Sequence, residues 1–167
     1  MKLSDGIEWA AHTTLLLAAL PSGGRLSGKA LAAFHDLSES YLAKHLNALV
    51  RAKILESSTG PYGGFSMARP PEEISMLDIV EAIEGKSPLF RCTNIRRNGP
   101  CAIEDPKAYV KPCGISSAMH RAEAAWRTAL SKELISDQLQ SFIASADRRI
   151  VALGAAWIGE NMRESRK

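Results

Sequence analysis

The chain has 167 residues, 46% hydrophobic and 23% charged, a balance that fits one ordinary globular core and excludes collagen-like, disordered and disulfide-dense chains. Its net charge is only +3, so the placement of the cations says more about partners than their number. With three cysteines, no basic-flanked signal segment and no apolar run of bilayer length, it reads as a cytoplasmic protein with reduced thiols and no membrane partner.

Ser4 or Asp5 can cap a first helix, which its dense apolar positions carry to about Leu20 before Pro21, Gly23 and Gly24 stop it. Glu8 and His12 are four apart on that helix and share a face. They are either a surface pair or a two-ligand face. Trp9, beside them in sequence, is a packing residue or a side chain that moves with the state of such a site. A short helix from Ser27 to about His35 follows, then Asp36-Leu37, then Ser38 as the cap of a helix from Glu39 to about Ala52. Leu42, Leu46, Leu49 and Val50 make its apolar stripe. Ser40, Tyr41, Lys44, His45 and Asn47 fall on or beside the opposite face.

The segment Ile54–Ser58 reads as a strand, Gly60-Pro61-Tyr62-Gly63-Gly64 as a turn and Phe65–Ala68 as the return strand, stopped by Pro70-Pro71. Two short helices and a Gly-rich hairpin predict a winged helix-turn-helix that binds double-stranded DNA. Ser38, Ser40, Tyr41 and Lys44 would face the major groove. Tyr62, Gly63 and Arg69 would lie near the minor groove or the sugar–phosphate chain. Arg25, Lys29, Lys44, Arg51, Lys53 and Arg69, against Asp36, Glu39 and Glu56, give this segment six cations less three anions, equal to the net +3 of the whole chain.

Ser75 caps a further helix that ends at Glu84 before Gly85. The stretch from Phe90 to Cys113 then has no apolar periodicity and holds all three cysteines, Cys92, Cys101 and Cys113. Thiols collected in one long loop point to metal or redox chemistry. From Ile115 to about Ser131 runs a helix whose broad apolar face wants a partner, most simply its own copy in a homodimer. Helices from Ser136 to about Ala144 and from about Asp147 to Asn161 follow, with MRESRK as a frayed end. The expected fold is mainly α with a small β-hairpin wing. Residues 1–85 are expected to form the DNA-binding domain, 86–114 a cysteine-bearing loop for metal or redox chemistry, and 115–167 the dimerisation and C-terminal helices.

The run LSESYLAKHLNALVRAKILESSTGPYGGFSMARPPEEISMLDIVEAIEG resembles the Rrf-type bacterial transcription regulators, the family of IscR, NsrR and RirA. That resemblance implies a homodimeric winged-helix repressor, many relatives of which hold an iron–sulfur cluster in the loop before the dimerisation helix. Eight residues separate Cys92 from Cys101 and eleven separate Cys101 from Cys113, unlike the short spacing of the IscR-like pattern, and no histidine stands three residues after Cys113. The closer match is the RsrR-like branch, through MKLSxGxEWAxH at Met1–His12, CTxIRxxGP at Cys92–Pro100 and Lys111-Pro112-Cys113. It implies a [2Fe–2S] cluster held by Glu8 and His12 of one subunit and Cys92 and Cys113 of the other, with Cys101 outside the site.

Two readings compete with the cluster: a cluster-free thiol switch among the three cysteines, and a structural Cys3His zinc site with His12 or His120. His35, His45 and His120 otherwise read as surface or cap residues. No CxxC, nucleophile motif or nucleotide loop supports an enzyme or a small-molecule substrate.

Overall fold

The computed structural model describes residues 3–164. Met1 and Lys2 of the N-terminal motif, and residues 165–167 of the expected frayed end, lie outside the described residues. The fold is mainly helical with short antiparallel strands. It comprises α1 (Asp5–Ala18), β1 (Gly24–Arg25), α2 (Gly28–Phe34), α3 (Glu39–Arg51), β2 (Leu55–Ser58), β3 (Gly64–Met67), α4 (Met76–Glu84), α5 (Gly114–Leu130), α6 (Ile135–Ser145), α7 (Arg148–Asn161) and β4 (Arg163–Glu164). Among the described residues no helix is long and apolar enough to cross a membrane.

The helix caps follow from side-chain chemistry. Ser27 accepts from the Ala30 N–H at the start of α2. Ser75 and Asp78 form a reciprocal capping box on α4, which Gly85 ends at φ 82°. Ser4 precedes α1 but its hydroxyl donates to Glu84 at the end of α4 instead, tying the two helix ends together.

The core is built where α1, α3 and α4 meet the hairpin. Leu17, Leu31, Leu42, Leu46, Leu49, Ile54, Ile74 and Ile79 are almost fully buried, each burial contributing about 1.5–3 kcal/mol. The expected stripe on α3 is therefore the surface that holds this helix against α1. β2 and β3 pair from Leu55↔Met67 to Ser58↔Gly64 and form the wing. Leu26, just after β1, bridges to Phe65 on the wing's second strand.

The chain end differs from expectation. Arg163 and Glu164 are ordered as β4, antiparallel to β1, with Gly24↔Glu164 and Arg25↔Arg163 in register. The cause is anchoring upstream: Trp157 of α7 packs edge-on against Phe34, 4.7 Å between ring centroids, and brings the tail back to β1. Gly24, expected only as part of a turn, is buried under Met162.

Candidate DNA interface and candidate metal centre

The residues expected to read DNA lie at the start and on the outer side of α3. Ser38 stands at the N-cap position without a side-chain cap bond; its hydroxyl lies 3.0 Å from that of Ser40 instead. Ser40, Tyr41, Lys44 and Asn47 are exposed on one side of the helix, Tyr41 by 60%. His45 does not join them. It is buried, against Gly6 of α1, where any Cβ would collide with its ring. Burial lowers its pKa, the Lys44 cation lowers it further, and Glu84 opposes both. Nε2 of His45 has no hydrogen-bond partner among the described residues.

Trp9 is half-buried and stands edge-on to both Tyr41 (5.2 Å) and His45 (5.8 Å). The first helix thus touches the recognition helix through the residue next to Glu8. Sequence spacing could not reveal this contact, since α1 and α3 are paired only by the tertiary fold.

In the wing, Tyr62 is exposed at the turn, whereas Gly63 is buried. The space left by its missing side chain is filled by the backbone of Ser58 and Thr59, so a Cβ there would strike the wing's own chain. That packing gives Gly63 a structural role in the turn. Arg69 also turns away from the wing. It donates to the Glu73 carbonyl and lies 3.6 Å from Asp78, bracing the start of α4.

The cysteine loop is ordered around Tyr109. Its hydroxyl accepts from the Ile103 N–H at 2.7 Å, and the Arg96 and Arg97 guanidinium groups lie over its ring. Arg96 also bonds Asn94, near Cys92, and the Lys111 carbonyl, near Cys113. It pins together chain segments nearly the whole loop apart in sequence. Cys113 caps α5, its sulfur accepting from the Ser116 N–H at 3.3 Å. That N–H lowers the Cys113 pKa, against some desolvation, and a hydrogen bond with the Cys92 thiol and the Arg96 charge lower it further. Cys92 and Cys101 are both exposed and Cys113 is half-buried; Arg96 ties the Cys92 end of the loop to the Cys113 end. Among the described residues no three His, Cys, Asp or Glu side chains meet in a group that could hold a metal.

Glu8 and His12 are both exposed, one turn apart on α1, and line one groove with Trp9, His35 and Leu37. His35, expected as a cap or surface residue, does end α2, but its half-buried ring is also 6.1 Å from that of His12. Burial and then the His12 charge lower the His35 pKa. The two histidines lie on different helices, so no spacing rule could have joined them. Each chain thus carries a two-thiol face on the loop and a carboxylate–imidazole face on α1, as two separate pairs.

Comparison with known proteins fits this architecture. The Rrf2 family model, described as an iron-dependent transcriptional regulator, matches residues 3–140. The chain belongs to the Rrf2 family of transcriptional regulators. It is 37% identical over 123 residues to YffB of Lactococcus lactis, named as an HTH-type transcriptional regulator, covering 74% of this chain and 77% of that one. Its fold is similar to the solved structure of T. potens IscR, with TM-score 0.66, 20% identity and coverage of 89% and 93% of the two chains. It is also similar to the oxidized form of Staphylococcus aureus CymR, with TM-score 0.59, 27% identity and coverage of 81% and 93%. This Rrf2 protein is a DNA-binding transcription regulator and not an enzyme.

Proposed function

We propose that this Rrf2 regulator is a cytoplasmic homodimeric repressor that senses redox state through a [2Fe–2S] cluster. Glu8 and His12 of one protomer and Cys92 and Cys113 of the other would hold it. The observation that carries this reading is the Arg96 tie between Asn94, near Cys92, and the Lys111 carbonyl, near Cys113, which holds the two ends of the cysteine loop together at the start of α5. Two thiolates alone cannot close a four-ligand site, and Glu8 and His12 offer two more donors on one exposed face.

The donor set fits such a cluster. Thiolates are its usual ligands. An imidazole and a carboxylate suit the harder iron left to them, and a neutral histidine in place of a thiolate raises the reduction potential. When bound, the cluster supplies a reversible one-electron change. The chain does the rest. His12 binds only when neutral, so acid competes for it. Glu8 and His12 bracket Trp9, which abuts Tyr41, so a change in how α1 is held reaches the recognition helix.

Anaerobically purified protein should show visible bands that bleach on reduction, with two irons and two sulfides per site. Cys92→Ser and Cys113→Ser should abolish those bands, Glu8→Ala and His12→Ala should abolish or shift them, and Cys101→Ser should leave them intact. Colourless wild-type protein without iron removes the cluster. Equal operator affinity of oxidised, reduced and apo protein removes the switch.

A cluster-free thiol switch is a second reading. The lowered pKa of Cys113, caused first by the Ser116 N–H, suits oxidation by a peroxide, Cys113 and Cys92 giving one disulfide and the peroxide accepting two electrons and two protons. A Cys92–Cys113 cross-link found by mass spectrometry in iron-free, peroxide-treated protein with altered DNA affinity would select this reading.

A further inference from the structure

The family match ends at residue 140, yet the chain continues through α7 and β4 and returns to the wing. β4 lies beside β1, and β1 leads through the Leu26–Phe65 bridge to β3, so the tail adds an edge strand to the base of the wing. Arg163 then reaches the wing turn itself. Its guanidinium donates to the Gly63 carbonyl at 2.8 Å, one residue from the exposed Tyr62.

The charge arrangement around this contact is unbalanced. Arg25 and Arg163 are directly opposite in register, and like charges at opposed positions repel. Arg25 is neutralised by Glu56 at 2.7 Å. Among the described residues Arg163 makes no ion pair, and its bond to Gly63 is to a neutral carbonyl. A guanidinium has five N–H donors in a fork that matches a phosphate, and Gly63 takes one of them. The remaining N–H donors of this half-buried guanidinium, held at the wing turn opposite Arg25, can take an anion from outside.

We propose that the C-terminal strand is part of the DNA interface, with Arg163 contacting the sugar–phosphate backbone of duplex DNA beside the wing. The wing is thereby built from both ends of the chain, and α7 serves to deliver this cation. The proposal rests on the wing-down docking expected of the recognition helix, and the experiment separates the two.

The test uses full-length protein and a fluorescein-labelled mixed-sequence duplex of about 30 base pairs, titrated by anisotropy between about 50 and 200 mM NaCl. Each phosphate contact contributes about 0.9 to the slope of log K against log salt. Arg163→Ala should weaken binding several-fold at the low-salt end and reduce the slope by about 1.8 for a dimer with two tails. Arg163→Lys, which keeps the cation, should retain most of the slope. Thermal melting of each variant reports whether the fold is intact. An unchanged slope for Arg163→Ala overturns the proposal, including the case in which affinity falls equally at all salts because the tail only braces the wing. Lys44→Ala serves as the control for docking. If it leaves affinity unchanged while Arg163→Ala lowers the slope, the recognition-helix reading fails and the tail contact stands. If Lys44→Ala weakens binding and Arg163→Ala does nothing, the tail contact alone is lost.

Discussion

His45 shows how much one buried side chain settles in this protein. It occupies a position whose neighbours Tyr41 and Lys44 face outward, yet it is covered by Gly6 and flanked by Trp9. Gly6 is thereby explained: the helix it starts must come close enough to α3 for a ring to replace a Cβ. Desolvation is the main reason that the folded-state pKa of His45 lies below its ordinary value of 6.5. Above 6.5 the ring is neutral in both states and costs nothing. As pH falls below 6.5 the unfolded chain takes up the proton first, so stability declines until the folded-state pKa is also passed. Lys44 and Glu84 act on it with opposite signs, and Trp9, Tyr41 and Gly6 are the uncharged groups around it. The melting temperature of the protein should therefore fall as pH is lowered from about 7 to 5, and His45→Phe should flatten that dependence. An equally steep profile in the variant would place the acid sensitivity elsewhere.

At the scale of the element, α4 is the simplest to derive and to test. Its Ser75–Asp78 capping box uses both backbone and side-chain bonds, and Ser75 is itself buried, so water cannot replace the lost cap. Ser75→Ala should lower the free energy of unfolding by about 1 kcal/mol, up to about 2, measured by urea denaturation. A change within error would mean that the cap is made up by other groups. This helix, the α3 stripe and the wing hairpin were legible in the sequence because caps, 3.6-residue spacing and glycine turns are local signals. Glu8 and His12 on one face of α1 were legible for the same reason. The elements that escaped sequence reasoning are set by distant contacts. β4 exists because α7 is anchored on Phe34, and two paired residues carry no strand pattern of their own. The order within the cysteine loop was not legible, since Arg96 and Tyr109 organise it by contacts that no periodicity reports. The internal roles of Gly63 and Arg69 were not legible because a turn glycine and a post-strand arginine fit an external contact and an internal brace equally well.

For the whole molecule, the decisive question is what covers α5. One side of it is already used: Glu123 and Arg127 form an ion pair, and Arg127 also binds Glu81 of α4 at 2.8 Å. The other side carries Ile115, Met119, Ala122, Trp126 and Ala129 at helical spacing, with Ile115 exposed by 72% and Met119 by 45%. A continuous apolar stripe of this kind suits an interface, and in the proposed homodimer a second α5 across a two-fold axis would present the identical stripe. The proposed centre depends on the same axis, because its thiol pair and its Glu8–His12 pair come from different protomers. Placing a charge in the middle of the stripe should therefore break three properties together. Met119→Glu would bury two like charges across the axis, a cost of several kcal/mol before any relaxation. By sedimentation velocity the variant should run as a monomer. Its visible bands should be lost without any change to Glu8, His12, Cys92 or Cys113, and its operator affinity should fall as the second half-site contact disappears. A variant that is monomeric but keeps its bands would show that one chain suffices to bind the metal, and would refute the shared centre while leaving the dimer in place. A variant that stays dimeric would move the interface away from α5, and the exposed apolar residues Phe142, Ile143 and Leu153 of α6 and α7 would be the surface to charge next.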